Sequence, residues 1–332
     1  MAKKGRPRYG SMGVWPRKRA ARPYARIRSF PEIKEAKPLF FPAYKAGMTR
    51  IGVLGMDKNK TNFGIEESQA VTILECPPIK IASMRLYKKS NNKKIVSTQI
   101  NFKTDKELSR KISKINEEKI SSSKDLESIK IEDYSDLTVQ AYTMPKQAEL
   151  KKTPELFELE LGGSIQEKLE FVKNKIDKTI TVNEVLKEGQ LIDAHGVTRG
   201  KGFQGPVKRF GIGLKNHKSE KGQRAPGSVG SWIGQAHVAH RVARAGQTGY
   251  HVRTQHNNLI MKISDKPDEI NPKGGFINYG LVKAPYIMIK GSLQGHKKRL
   301  LFLAEPIRKP SRKINFTTDM IKYVSKESHQ GR

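Results

Sequence analysis

The residues with the most chemical potential lie between Gly196 and Asn257. The run Gly196-Val-Thr-Arg-Gly-Lys-Gly-Phe-Gln-Gly-Pro-Val-Lys-Arg-Phe-Gly211 interleaves glycine with lysine and arginine. From Arg199 to Arg253 there are eleven Lys or Arg and one acid, Glu220; six of the chain's eight histidines fall between His195 and His256. Three chemistries could be built here. Nucleotide hydrolysis fails on spacing. A phosphate-binding loop needs four residues between its glycines, then Lys followed by Ser or Thr; Gly196 and Gly200 enclose three, and Gly202 follows Lys201. A metal site on His237, His240, His251 and His256 fails on composition. No acid or cysteine lies near them in sequence, and Arg241 and Arg244 repel a cation. Nothing resembles a nucleophile and base with an orienting acid. Binding of a polyanion remains. Glycines let backbone N–H groups approach phosphates, arginine can grip them with two bonds, and lysine acts as a point charge.

On that reading Thr198, Arg199, Lys201, Lys208 and Arg209 are phosphate contacts, continued by Lys215, Lys221 and Arg224. A second glycine-interrupted run adds Arg241, Arg244, Gln247 and Arg253, while His237, His240 and His251 stack on or bond to RNA. Trp232, in Gly230-Ser-Trp-Ile-Gly234, reads as a loop-tip wedge against bases, with a core position as the alternative. Phe203, Phe210 and Tyr250 are weaker candidates of the same kind, and Tyr250 could equally be a core residue. The N-terminus repeats the pattern. Arg6, Arg8, Arg17, Lys18, Arg19, Arg22 and Arg26 are interleaved with Trp15 and other aromatics, so cations can meet phosphates while rings stack. A disordered solubilising or nuclear-import arm is the plain alternative.

The whole composition agrees. The 332 residues include 64 Lys+Arg and 32 Asp+Glu, a formal net charge of +32. Such a charge opposes compaction in free solution but fits a nucleic acid, whose counterions it displaces. No apolar run has the length of a membrane span, and no signal-peptide core is visible. The single Cys76 excludes an internal disulfide or a cysteine zinc site and fits a reducing cytoplasm.

These residues need a scaffold. Residues 1–42 read as a basic extension, broken by Pro7, Pro16, Pro23, Pro31 and Pro38. Residues 43–103 carry strand-like runs at Lys45–Met56, Ala70–Glu75, Ile79–Tyr87 and Lys94–Phe102. Residues 104–179 read as a helical insertion. Leu108, Ile112 and Ile115 keep helical spacing, as do Ile165, Leu169, Val172 and Ile176, with Ser164 and Glu167 forming a capping box; Leu137–Thr143 reads as a strand between them that returns to the sheet. From Thr104 to Gln190 there are fifteen Lys or Arg and eighteen acids, so the charge of the two arms is placed rather than uniform. Residues 180–198 supply strand, short helix capped by Asn183, and strand. Residues 199–257 are the basic central loop, too poor in apolar periodicity for a packed face and therefore expected to be ordered by a polyanion. Residues 258–308 resume strands at Leu259–Ile263, Gly280–Lys290 and Arg299–Ala304, with turns at Gly274–Gly280; residues 309–332 are a surface tail. Many short strands with turn signals suggest a barrel.

The two glycine-basic runs, the second being Ala243-Arg-Ala-Gly-Gln-Thr-Gly-Tyr-His-Val-Arg-Thr254, resemble those of the large-subunit ribosomal protein L-three family. Pro7-Arg-Tyr-Gly-Ser-Met-Gly13, Pro16-Arg-Lys-Arg-Ala20, Tyr44-Lys-Ala-Gly-Met-Thr49, Gly275-Phe-Ile-Asn-Tyr-Gly280 and Tyr323-Val-Ser-Lys-Glu-Ser328 are similar to its archaeal and eukaryotic branch, and the short C-terminal tail favours an archaeal member. The resemblance implies a six-stranded Greek-key β-barrel of the translation-protein type, mainly β with an α insertion. It implies binding near the 3′ end of large-subunit rRNA, a role in nucleating assembly, and arms reaching toward the peptidyl-transferase region with Trp232 at the loop tip. It implies no catalysis, no cofactor beyond structural Mg or K ions of the rRNA, and neighbours that include ribosomal proteins L-fourteen and L-twenty-four-e. Glu220 stands where some eukaryotic members carry a methylated histidine, so that modification is not expected. Two other classes make different demands. An architectural DNA-binding protein should bind duplex DNA as well as structured RNA, and an RNA-modifying enzyme should depend on His237.

Overall fold

The structure is a computed structural model that describes residues 11–55, 61, 63–91, 93–112, 131–219, 222–230, 238, 242–311 and 316–327. In chain order its strands are β1 (Phe40–Leu54), β2 (Glu66–Glu75), β3 (Ile79–Ser90), β4 (Lys93–Asn101), β5 (Asp136–Thr143), β6 (Leu156–Glu160), β7 (Leu191–Val197), β8 (Phe203–Gln204), β9 (Gly246–Gln247), β10 (Val252–Ser264), β11 (Tyr286–Lys290), β12 (Leu300–Ala304) and β13 (Ile321–Val324). Among the described residues three short α-helices interrupt them: α1 (Ile165–Lys175), α2 (Val182–Val185) and α3 (Pro206–Phe210). The described chain is therefore mainly β, as its short apolar runs between turn residues require.

Seven strands form one sheet in the order β12-β7-β10-β11-β2-β1-β13, with an additional pairing between β12 and β1. β1 makes this possible by its length. Tyr44 is opposite Glu75 of β2 on one edge and Leu300 of β12 on the other; further along, Ile51 is opposite Gln69 of β2 and Val324 of β13. β12 and β13 thus share one edge of β1 at its two ends. Inside lie Ile51, Val53, Val71, Ile73, Met261, Tyr286 and Met288, all buried. Gly47 is needed where the sheet meets the loop before β11, because a Cβ there would come within 2.7 Å of the Phe276 ring. The buried Glu75 carboxylate holds that loop, accepting from the backbone N–H of Lys283 and Ala284 at 2.7 Å each and from the Tyr279 hydroxyl.

A second sheet, β4-β3-β5-β6, carries α1. Here the helix capped by Ser164 and Glu167 is present, with both reciprocal bonds of the capping box formed. The segment read as a helical insertion is built on two strands as well, because Leu137, Val139 and Ala141 of β5 bury an alternating face that a helix would break up. Around Leu108 the chain makes only a 3-10 turn, Lys106–Arg110; Ile115 lies outside the described residues. The cap of α2 is Thr181 and not Asn183, which sits inside the helix.

Two further departures come from contacts distant in sequence. Residues 309–332 are not all surface tail, since Phe316 is buried and β13 pairs with β1. The N-terminal extension is tied down before β1: Phe30 stacks on Phe40 at 5.8 Å, and Gly163 N–H donates to the Ile33 carbonyl at 2.8 Å.

The chain divides into two compact units. The smaller comprises Met1–Ala25, Gly196–Arg253 and Gln294–His296; the larger comprises Arg26–His195, Thr254–Leu293 and Lys297–Arg332.

Candidate nucleic-acid interface

The smaller unit contains nineteen Lys or Arg and a single acid, Glu220. Its frame is one antiparallel ribbon made from the two glycine-basic runs. Thr198 N–H donates to the His251 carbonyl and Lys201 N–H to the Thr248 carbonyl, both at 2.9 Å, and β8 pairs with β9 beyond them. Glycine makes the pairing tight. Gly249 has φ +70°, and a Cβ on it would stand 2.0 Å from the Arg199 carbonyl oxygen. After β8 the chain turns into α3, with Pro206 in its first turn and Gly211 as a left-handed C-cap.

Several cations expected to meet phosphates have work inside the protein. Arg209 donates to the carbonyls of Gln247 at 3.1 Å and Arg244 at 3.0 Å, locking α3 to the returning strand. Arg17 donates to the Arg209 carbonyl at 3.2 Å while its guanidinium lies 4.4 Å from the Phe210 ring centroid. Arg253 reaches the Val14 carbonyl at 3.4 Å, and Arg19 lies over Tyr250. Bonds from charged donors stabilise by roughly 1.5–3 kcal/mol each, and cation–π contacts by about 0.5–2 kcal/mol.

His251 completes the strap. Its Nδ1 is 2.8 Å from the Lys18 carbonyl, which can only accept, so Nδ1 carries the proton of the neutral ring. Burial holds its pKa below the ordinary value, Arg253, Arg17 and Arg209 push the same way, and the Lys18 bond opposes them. Gln247 and Thr198 are also committed, Gln247 to the Gly249 carbonyl at 3.0 Å and Thr198 Oγ1 to the His251 N–H at 3.1 Å. The base of the two arms is therefore packed by its own hydrogen bonds, contrary to the expectation of a loop ordered only from outside. Apolar periodicity was the wrong signal for it, because arginine–carbonyl bonds do the packing.

A different set of cations faces solvent. Lys18, Arg22, Arg199, Lys201, Lys208, Arg224 and Arg244 are exposed. Among the described residues no ion pair includes them. Phe203 is 77% exposed beside Lys201, an arrangement that suits a ring stacking on a base. Lys215 is half-buried and Trp15 likewise; Arg26, exposed, belongs to the larger unit. Arg6, Arg8, Lys221, Trp232, His237, His240 and Arg241 lie outside the described residues.

Two histidines acquire partners that their sequence neighbourhood does not show. His256 Nδ1 bonds to Asp193 at 2.7 Å and His195 Nδ1 to Thr254 at 2.9 Å, between β7 and β10. Among the described residues no three His, Cys, Asp or Glu are placed to hold a metal ion, and no helix is long and apolar enough to cross a membrane.

A cationic surface on a β scaffold is the class that these features define. The family model for ribosomal protein L3 matches residues 1–331. The large ribosomal subunit protein uL3 of Methanococcus vannielii is 41% identical over 334 residues, covering 99% of each chain. Those of Nanoarchaeum equitans (41%, 96% of each) and Archaeoglobus fulgidus (39%, 98% of this chain and 99% of the relative) are similar throughout. The chain belongs to the ribosomal protein L3 family, among its archaeal members. That family consists of structural, non-enzymatic constituents of the large ribosomal subunit.

Proposed function

We propose that this protein binds large-subunit rRNA near its 3′ end, nucleates assembly there, and directs its two arms toward the peptidyl-transferase region. The observation that carries this is the division of labour in the smaller unit. One set of cations builds the ribbon from within, and a second set stands exposed beside almost no acid. The β12–β1 pairing supports a closed, six-stranded Greek-key barrel as the rigid base of these arms, since closure removes the free edges of that sheet. Trp232 is the loop tip in this reading. The partners are rRNA with its structural Mg or K ions and the adjacent proteins L-fourteen and L-twenty-four-e; the place of action is the cytoplasmic ribosome.

The test is binding of the full chain to a 3′-domain rRNA transcript and to duplex DNA of equal length, titrated with salt. The RNA should win at every salt concentration. Replacing Arg199, Lys201, Lys208 and Arg224 by Ala should flatten the slope of log affinity against log salt by about three, near 0.7–0.9 per lost phosphate contact. Equal affinity for duplex DNA would sink the reading. For the tip, Trp232→Ala should alter peptidyl transfer or aminoacyl-tRNA binding in reconstituted subunits, and wild-type values for both would remove it from function.

A further inference from the structure

Between Glu75 and Asp105 the sequence holds seven Lys or Arg and no acid. The fold sorts six of these; the seventh, Lys103, is exposed after β4. Lys80 meets Asp105 at 3.0 Å, Arg85 approaches Glu158 at 3.9 Å, and Lys94 is bonded to Asp136. At the tip of the β3–β4 hairpin the acids run out. Lys88, Lys89 and Lys93 are exposed, and no ion pair among the described residues includes them; Lys88 only lies over the Tyr134 ring at 5.2 Å.

The backbone sets these lysines apart. β5 pairs with β3 only as far as Tyr87, opposite Asp136. Beyond that point the hairpin is a two-stranded ribbon, with Lys88 opposite Ile95, Lys89 opposite Lys94 and Ser90 opposite Lys93. A two-stranded ribbon is marginal in water, and like charges directly opposite weaken it further. Lysines are also used to stop a sheet edge from recruiting other strands. That role alone would not leave Ile95 52% and Val96 44% exposed beside them.

We propose that this hairpin tip is a third RNA-binding element, separate from the two arms, in which Lys88, Lys89 and Lys93 neutralise phosphates of structured rRNA and Ile95 and Val96 cover the adjoining sugar faces. The inference rests on the rRNA-bound reading of the protein. RNA is the occupant because protein interfaces are anchored by Trp, Tyr and Arg and are depleted in lysine, whereas lysine serves phosphate as a compact point charge.

The experiment compares three full-length proteins on large-subunit rRNA under a salt titration: wild type, the arm variant above, and Lys88→Ala/Lys89→Ala/Lys93→Ala. The hairpin variant should melt at the wild-type temperature, lose about tenfold or more in affinity near 0.1 M salt, and show a salt slope reduced by about two. Arginine at the same three positions should restore the slope. Arm and hairpin variants should protect different rRNA positions less well in footprinting. If wild type does not bind rRNA, the functional reading itself fails. If wild type binds and the arm variant weakens while the hairpin variant keeps full affinity and slope, the hairpin proposal alone is overturned. Full affinity for naked rRNA, combined with loss of the variant from reconstituted subunits, also overturns it and assigns the tip to an acidic protein.

Discussion

Arg199 and Arg209 sit ten positions apart in one basic run, and a reader of the sequence has no ground for separating them. Their partners separate them completely. Arg209 holds two backbone carbonyls, while Arg199 points its charge at solvent and contributes its own carbonyl to the floor under Gly249. Their alanine variants should therefore fail differently. Arg209→Ala leaves carbonyls without donors and should destabilise the smaller unit by about 1.5–3 kcal/mol, read as faster amide exchange at 198–204 and 246–251. Arg199→Ala should leave that exchange unchanged and lower the salt slope of RNA binding by about one. Equal exchange in the two variants would remove the distinction. Gly249→Ala tests the same floor from the other side. Its methyl has no room, and its φ of +70° suits glycine, so a loss of about 2 kcal/mol or more and protease cleavage near Tyr250 are expected. The site was legible as a list of cations; the assignment of each cation to phosphate or carbonyl needed the fold.

Among the elements, α1 was readable because everything that fixes it is local. Ser164, Glu167 and the apolar positions Leu169 and Val172 lie within three turns, and Ser164→Ala should cost about 1 kcal/mol. β5, β6 and β13 owe their strand form to partners far away in sequence, and Asn183 lost the cap to Thr181 because the bridge between Ile79 and Ile180 fixes where the chain turns. Electrostatics at the β5–β6 pair gives a sharper test. Glu160 stands opposite Thr138, and burial, with Asp136 and Glu158 nearby, raises its pKa from 4.5 to about 7, against the opposing pull of Lys168 and Lys94. A carboxyl with a raised folded pKa binds more protons in the native than in the unfolded state between those two values. Native stability from this group therefore falls as pH rises from about 4.5 through 7, and is regained on acidification. Solvent access and the coupled lysines reduce the effect to about 1–2 kcal/mol. Glu160→Gln should melt above wild type at pH 8 and converge with it near pH 4.5; parallel melting curves across that range would contradict the assignment.

For the molecule as a whole, the decisive quantity is the unevenness of its charge. The larger unit offsets many of its cations with acids, as at Lys168–Asp136 and Lys262–Glu269, whereas the smaller unit has one acid for nineteen cations. Hydrogen bonds from Arg209, Arg17 and His251 hold that unit together against its own repulsion. Salt should therefore act on the free protein and on its complex in opposite directions. In the free chain, raising NaCl from 0.05 to 0.5 M screens the repulsion, since the Debye length falls from about 14 Å to about 4 Å. Amides of 198–204 and 246–251 should then exchange more slowly, while those of β1 and β2 change little. In the complex the same salt restores competition from counterions and weakens RNA binding steeply. A polyanion such as heparin, added to the free chain at 0.05 M, should mimic the protective effect of high salt, because it supplies the missing negative charge directly. Exchange at the ribbon that is indifferent to both salt and heparin would mean that its carbonyl-bound arginines overcome the repulsion unaided, and that RNA selects an arm already rigid rather than finishing one that is only held at its base.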